Sequence, residues 1–272
     1  MPELPEVETV KNDLLPYVTG HTITEITLNW EGIVKQPSPD EFKKRLLGRK
    51  ITGLSRRAKY LLFKLDSDDT LIAHLRMTGS LLVDPPAELN NYIRAVIHLN
   101  SDNKIYFRDP RKFARMMVVQ DVAQVIGKLG PEPLEESFTP ELLSHLLEKR
   151  KAPLKAVLLD QELIAGLGNM YADEALFEAG INPMRGANSL TKPEIKRLHK
   201  AIREVLRLGI MNKGASEVTY YRPSGEMGKA FEAFKVAHQR DKVCPKCGEP
   251  IQWIKLRGRG TYYCAKCQPN KQ

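Results

Sequence analysis

The residues best placed for chemistry stand at the start of the chain, in Met1-Pro2-Glu3-Leu4-Pro5-Glu6-Val7-Glu8. A small, tucked-in residue at position 2 lets the methionine be removed, which leaves Pro2 with a free secondary amine. An α-amino group titrates near ~7.7–8.0, so part of it is unprotonated at neutral pH. Such an amine can attack a sugar or carbonyl carbon and form a Schiff base. Glu3 is adjacent as a general acid or base, and Glu6 lies one helical turn further on. A purely structural reading fits the same stretch. Pro5 suits a first helical turn, Glu6 and Glu8 suit the positive end of a helix dipole, and Val7, Val10 and Leu14 form an apolar stripe.

The second chemical cluster is at the other end. All four cysteines fall in two pairs, Cys244-x-x-Cys247 and Cys264-x-x-Cys267, separated by 16 residues. That spacing is typical of a four-thiolate zinc site in which two tight turns each present two ligands. The matched pairs, in a chain whose start is acidic and carries no secretory signal, favour one structural Zn²⁺ over disulfides or a redox pair. Gly258-Arg259-Gly260 lies near the tip of the intervening hairpin, and Lys242, Lys246, Lys255, Arg257, Arg259 and Lys266 make the module basic. A third feature, Gly166-Leu167-Gly168-Asn169, breaks the chain between two helical stretches. It offers close backbone approach, helix N–H groups and an Asn side chain to a phosphate. An ordinary corner between helices fits that motif equally well.

The elements that hold these residues change character along the chain. Residues 2–15 read as a helix ended or kinked by Pro16 and Gly20. Short β runs follow at 23–30, 50–54, 60–65, 71–77, 92–99, 105–107 and 116–119, separated by Gly, Pro, Asn and Asp turns. They predict a sandwich of antiparallel sheets. After Gly130-Pro131-Glu132-Pro133 the pattern turns helical, at 140–148, 153–161, 169–180 and 191–213, the last opened by a Thr191/Glu194 capping box. A length of 272 residues suits two domains. The net charge of +9 points to a polyanionic partner. No apolar run reaches the length of a membrane span.

Four stretches occur in one order: Met1 to Thr9, Arg56-Arg57-Ala58-Lys59-Tyr60-Leu61, Gly166-Leu167-Gly168-Asn169-Met170-Tyr171, and Gly258-Arg259-Gly260-Thr261 between its cysteine pairs. In this the chain resembles the bacterial formamidopyrimidine-DNA glycosylases over nearly its whole length, and Leu4 separates it from the endonuclease VIII type, which usually begins Pro-Glu-Gly-Pro-Glu. The resemblance implies an α+β multidomain fold. An N-terminal helix plus antiparallel β-sandwich would occupy 1–130, a helical helix–two-turn–helix domain 131–225, and a C-terminal four-cysteine zinc finger 226–272. It implies excision of oxidised purines (8-oxoguanine, formamidopyrimidines) followed by β,δ-elimination at the abasic site. The partner is double-stranded DNA, the protein a monomer of the bacterial cytoplasm associated with the nucleoid, and no organic cofactor is expected.

Residue by residue, the resemblance makes Pro2 the nucleophile, Glu3 the proton donor and Glu6 a supporting carboxylate. Lys59 and Arg259 take the lysine and arginine tied to β- and δ-elimination and to phosphate. Asn169 falls on the phosphate-clamp asparagine, and Met77, Arg111 and Phe113 on the side chains that fill the gap left by a flipped base. Lys151, Lys155, Tyr92 and His74 are further expected DNA contacts. Three departures stand out. Tyr92 and Arg94 replace a usual His-x-His, the loop 215–222 is one residue short of the pattern and lacks its basic residue, and Val236-Ala237-His238-Gln239 replaces Val-Tyr-Gly-Arg. The catalytic positions are intact, while the base-reading ones differ. The alternatives are a relative that prefers oxidised pyrimidines or abasic sites, and a non-catalytic zinc protein that binds distorted duplex.

Overall fold

The structure is a computed structural model and describes residues 2–216 and 220–270. The chain forms two compact units, Met1–Lys128 with Ile210–Phe231, and Leu129–Gly209 with Glu232–Gln272. Residues 210–231 pack with the sandwich, and the finger shares a unit with the helices.

In the first unit, α1 (Leu4–Val18) begins at a reciprocal capping box of Glu3 and Glu6. Its stripe Val7, Val10, Leu14 and Val18 is fully buried. Pro16 lies inside the helix and does not end it. The carbonyl it leaves unpaired belongs to Asn12, which is exposed and open to water, while burial of Val18 holds the final turn.

The strands are β1 (Ile23–Leu28), β2 (Val34–Gln36), β3 (Ile51–Arg57), β4 (Tyr60–Leu65), β5 (Thr70–His74), β6 (Ser80–Val83), β7 (Ile93–Leu99), β8 (Lys104–Arg108) and β9 (Arg115–Val119). They build one sheet in the order β1-β7-β8-β6 and another in the order β2-β9-β5-β4-β3. All pairings are antiparallel except β2 with β9. The inner faces, with Ile26, Ile97 and Phe107 from one sheet and Leu61, Phe63, Leu71 and Met116 from the other, join the α1 stripe in one core. Leu62, Ile72, Met117 and Val119 point the other way and are covered by Val122, Val125 and Ile126 around α3 (Ala123–Ile126). That second burial explains why β5 and β9 read as continuous apolar runs rather than alternating ones. The run beginning at Leu71 was expected to continue to Met77. It stops at His74 because residues 75–79 form a tight turn, with the Gly79 N–H on the Leu75 carbonyl at 3.0 Å. A Cβ at Gly79 would sit 2.5 Å from that carbonyl oxygen, so only glycine closes the turn. The short α2 (Pro39–Leu46), capped by Ser38, and β2 and β6 lie outside the sequence expectation.

In the second unit, α4 (Pro140–Leu147) is capped by Thr139, α5 (Leu154–Leu158) is short, and α6 (Asn169–Ala179) starts at Gly168 and ends on a left-handed Gly180. The long α7 (Lys192–Met211) buries Ile195, Leu198, Ile202 and Leu206, and its last two residues belong to the first unit. Arg185 forks onto Glu194 near its start, and this hydrogen-bonded pairing pulls the Glu194 carboxyl down to about 2. The finger hairpin is β10 (Gln252–Leu256) with β11 (Arg259–Tyr263). Among the described residues no helix is long and apolar enough to cross a membrane.

Candidate active site and DNA-contact residues

Pro2 and Glu3 are both buried at the entrance to α1. Glu6 ties this entrance to a distant part of the chain. One of its oxygens accepts the Glu3 N–H at 2.7 Å, and the other accepts the Ala215 N–H at 2.7 Å. Tyr220 donates its hydroxyl to the Glu6 carbonyl at 3.3 Å. Burial, and then the negative charge of Glu6, push the Tyr220 phenol well above its ordinary value. A single buried carboxylate thus bonds the backbone of the expected proton donor and the root of the loop 215–222. Tyr220 packs against α1 and is only 3% exposed, so it supports the loop rather than reaching into solvent. Residues 217–219 of that loop, together with Met1, lie outside the described residues.

Lys59 occupies the two-residue turn between β3 and β4, where Ala58 takes a positive φ of 52°. The turn is braced from α1: Arg56 donates to Glu8 at 2.7 Å and to the Ala58 carbonyl at 3.1 Å. Sequence reasoning did not single out this brace, although Arg56 lies inside a quoted motif and Glu8 on the correct helix face.

His74 ends β5 under the edge of the Tyr60 ring and is 8% exposed. Its Nδ1 accepts the Arg76 N–H at 2.9 Å. Burial, with Arg76 and Lys59 adding like charge, lowers the ring to about 3. His74 is therefore neutral at physiological pH, and it can meet a phosphate only as a neutral donor. The linkage has a definite sign. Below the ordinary value of ~6.5 the unfolded ring takes a proton that the folded ring refuses, so stability is lost as pH falls from there towards 3. We expect this residue to contribute a slope of about 1 kcal/mol per pH unit between pH 6 and 4. Urea unfolding of wild type and His74→Gln at several pH values isolates it, and identical pH dependence in the two would refute it.

Met77 and Phe113 are each 40% exposed on neighbouring connections of the sandwich unit. The Arg111 guanidinium lies over the Phe113 ring at 4.7 Å. Tyr92 is exposed at a positive φ of 60°, with Arg94 and Arg108 stacked over its ring at 5.8 and 5.7 Å. Arg94 is turned inward, donating to the Asp109 and Pro110 carbonyls at 2.8 and 3.4 Å.

In the second unit, Asn169 opens α6 and donates to the Gly260 carbonyl at 3.1 Å. Its Oδ1 is buried without a hydrogen-bond partner. Arg259 is exposed at the start of β11, after a two-residue turn in which Arg257 and Gly258 both have positive φ. That turn type matches strand twist, and Gly258 meets its backbone requirement without strain. Lys151 is exposed ahead of α5.

Lys155 corrects the sequence reading. It is 1% exposed, paired with Asp173 at 2.8 Å, and it donates to the Gly260 carbonyl and Thr261 hydroxyl at 2.8 and 3.0 Å. Asp173 in turn accepts the Tyr262 N–H at 3.1 Å. Lysines near a helix start are usually solvated. This one is enclosed because a carboxylate one helix away and two hairpin oxygens replace its water. We expect Lys155→Met to cost about 3–5 kcal/mol by leaving Asp173 buried without its cation, and Lys155→Met/Asp173→Leu to regain most of it. A single variant that melts like wild type yet loses phosphate contacts would restore the original assignment.

The four cysteine sulfurs lie within 4.8 Å of one another, with Cys244–Cys267 at 3.8 Å and Cys247–Cys264 at 3.4 Å. Tetrahedral Zn–S bonds of about 2.3 Å separate sulfurs by about 3.8 Å, so the set fits one structural zinc. Behind it Phe177, Val236 and Ile251 form a small core with Cys244 and Cys264. Glu174, which sequence reasoning missed, accepts the N–H groups of Lys235, Val236 and Ala237 and fixes the approach to the finger. Chelating the metal, or Cys264→Ala, should expose the amides of β10 and β11 to rapid hydrogen exchange while β3 to β5 stay protected. Unchanged protection of the finger without metal would rule out this role for zinc.

Comparison with known proteins bears on the whole arrangement. The formamidopyrimidine-DNA glycosylase N-terminal domain matches residues 1–116, the formamidopyrimidine-DNA glycosylase H2TH domain 129–220, and the zinc finger found in FPG and IleRS 241–270. The formamidopyrimidine-DNA glycosylase of Chloroflexus aurantiacus is 44% identical over 100% of this chain and 99% of its own, and that of Geobacillus kaustophilus 40% over 98% and 100%. The MutM (Fpg) protein of Thermus thermophilus superposes with a TM-score of 0.90 at 38% identity, covering 100% of both chains. A mutant Fpg of Lactococcus lactis, solved with DNA containing Fapy-dG, gives 0.91 at 37%, covering 99% of this chain and 100% of its own. With all three domain models matched in order and relatives aligned end to end, the chain belongs to the formamidopyrimidine-DNA glycosylase family.

Proposed function

We infer that the chain excises oxidised purines from double-stranded DNA and then cleaves the strand at the abasic sugar, with Pro2 as nucleophile and Glu3 as proton donor. The observation that carries the assignment of roles is the buried Pro2-Glu3 pair held to Glu6 at the entrance of α1. The Pro2 nitrogen attacks C1′ and the bond from C1′ to the base breaks. The base leaves with a proton; the C1′–O4′ bond then opens, O4′ takes a proton, and the lone pair of the Pro2 nitrogen closes a Schiff base to the open-chain sugar. Loss of a proton from C2′ then expels the 3′ oxygen, and a second elimination expels the 5′ oxygen. Such an attack requires the nucleotide to leave the stack. Met77, Arg111 and Phe113 fill the vacated space. In the first unit Lys59 contacts phosphate, with the neutral His74 and Tyr92 as further donors; in the second, Asn169, Arg259 and Lys151 contact phosphate. The zinc holds the finger that carries Arg259 and takes no part in bond breaking. The place of action is the bacterial cytoplasm, at the nucleoid.

Fpg proteins of Lactococcus lactis have been solved with DNA carrying Fapy-dG, an abasic site and an oxidised pyrimidine. These name the substrates to try. Duplexes with one 8-oxoguanine, one formamidopyrimidine, one oxidised pyrimidine or one abasic site should each be assayed for free base and for strand ends. Release of purine lesions with phosphate at both ends of the gap is the expected result. Cleavage of the pyrimidine lesion alone would favour the alternative specificity, and tight binding without cleavage the non-catalytic reading.

A further inference from the structure

Asp109 is fully buried, and its carboxylate is the meeting point of two loops. One oxygen accepts the Thr78 hydroxyl and the Arg111 N–H, the latter at 3.2 Å. The other accepts the N–H groups of Phe113 and Ala114, both at 2.7 Å. Thr78 is 5% exposed and follows Met77 in the turn closed by Gly79. The backbone of Asp109 is held too: its N–H donates to the Tyr92 carbonyl at 3.0 Å and its carbonyl accepts from Arg94 at 2.8 Å. All four acceptor positions of one carboxylate are thus spent on the backbone around Arg111 and Phe113 and on the residue next to Met77. Outside this buried knot, Met77, Arg111 and Phe113 stand exposed.

We propose that Asp109 and Thr78 form a clasp that joins the Met77 turn and the Arg111–Phe113 loop into one rigid wedge, making both positioning residues for eviction of the damaged nucleotide. The inference rests on reading Met77, Arg111 and Phe113 as the side chains that fill the gap. The physical reason for a clasp is preorganisation. Side chains that enter a base stack from two flexible loops would each lose conformational freedom on insertion, whereas loops already fixed to one another lose little. A charged acceptor suits this task, since hydrogen bonds to a carboxylate are about twice as strong as neutral ones. Arg94 adds to the same construction. Where the usual pattern has a histidine, it braces the carbonyls of Asp109 and Pro110.

The two members fail in different ways. In Asp109→Asn the new NH₂ group must face a backbone N–H whichever way the amide turns. One side carries Phe113 and Ala114, and the other carries Arg111 beside Thr78. Thr78→Val is gentler, keeping the shape and the three N–H bonds while cutting the link to the Met77 turn. Thr78→Ser restores the hydroxyl.

The test uses full-length protein and a duplex with one 8-oxoguanine and 2-aminopurine as its neighbour, whose fluorescence reports unstacking. Thr78→Val should slow unstacking and single-turnover excision roughly tenfold to a hundredfold, the scale of a misplaced group. Affinity for undamaged duplex and its salt slope should not change, and Thr78→Ser should recover most of the rate. Thr78→Val should add little to the defect of Phe113→Ala, because the hydroxyl acts through the wedge. If Phe113→Ala is slow while Thr78→Val matches wild type, or if the two defects multiply, the clasp is refuted and the wedge stands. If Phe113→Ala and Met77→Ala both unstack and excise at the wild-type rate, the wedge itself is refuted, and the clasp with it. Asp109→Asn should be slower than Thr78→Val. If it unfolds, the threonine pair still decides.

Discussion

A chain carrying one extra residue ahead of Pro2 should form no borohydride-stable adduct with lesion-bearing DNA, while the chain with a free Pro2 amine should form one readily. The reason is electronic. A peptide bond draws the nitrogen lone pair into resonance with the carbonyl, so an acylated proline has nothing to attack with. A free secondary amine keeps that pair, and near neutral pH part of it is unprotonated. Removing a nucleophile outright costs rate on the order of 10⁴ to 10⁶ where the remaining groups cannot replace it. Pro2→Gly leaves an amine and should retain part of the activity. Duplex binding reports whether the blocked chain is still folded. Its affinity for undamaged DNA should stay within a few-fold of wild type, because the phosphate contacts proposed for Lys59, Asn169 and Arg259 are untouched. Equal trapping with the nitrogen blocked would remove Pro2 from the mechanism and turn attention to a lysine amine, Lys59 first.

The legible part of this molecule is the part fixed by short-range rules. The spacing of the four cysteines dictates one tetrahedral cluster, and the structure brings their sulfurs together. The α1 stripe and most strands follow from periodicity and turn residues, and Gly180 ends α6 in the left-handed conformation a C-cap requires. What could not be read depends on partners distant in sequence. Lys155 looks like any solvated lysine until Asp173, Gly260 and Thr261 are seen around it. Glu6 reads as a capping residue, and so it is, but its second oxygen holds Ala215, more than two hundred residues away. Asp109 gives no signal at all in a run of charged residues, although four donors converge on it.

The departures from the usual pattern also become physical. His238 stands where glycine is usual, and its backbone does take a positive φ of 59°. The left-handed conformation costs a side chain roughly 1–2 kcal/mol. Here the ring stacks on Tyr262 with centroids 5.3 Å apart, which offsets part of that cost. Glu174 grips the backbone of residues 235–237, so side chains can change there without loosening the finger. Arg94 has an internal task at Asp109, so its replacement of a histidine does not add a free cation to the surface.

Glu3→Gln should separate the two halves of the reaction. Glutamine keeps the size of the side chain and still presents an oxygen to the helix N–H groups, so the capping box with Glu6 persists and stability should change by no more than about 1 kcal/mol. An amide cannot pass a proton to a departing base, and losing a general acid typically lowers the rate by about 10²–10⁴. At an abasic site no base has to leave. The amine of Pro2 meets an aldehyde, and the later eliminations draw on other groups. Single-turnover cleavage of an 8-oxoguanine duplex should therefore fall by about 10²–10⁴, while cleavage of an abasic-site duplex by the same preparation should fall far less. The ratio of the two rates is the decisive quantity, since partial unfolding or weak binding would lower both together. Equal losses would make Glu3 a structural cap or a participant in Schiff-base formation. No loss on either substrate would leave Glu6, fully buried and hydrogen-bonded to the Glu3 backbone, as the carboxylate to test next.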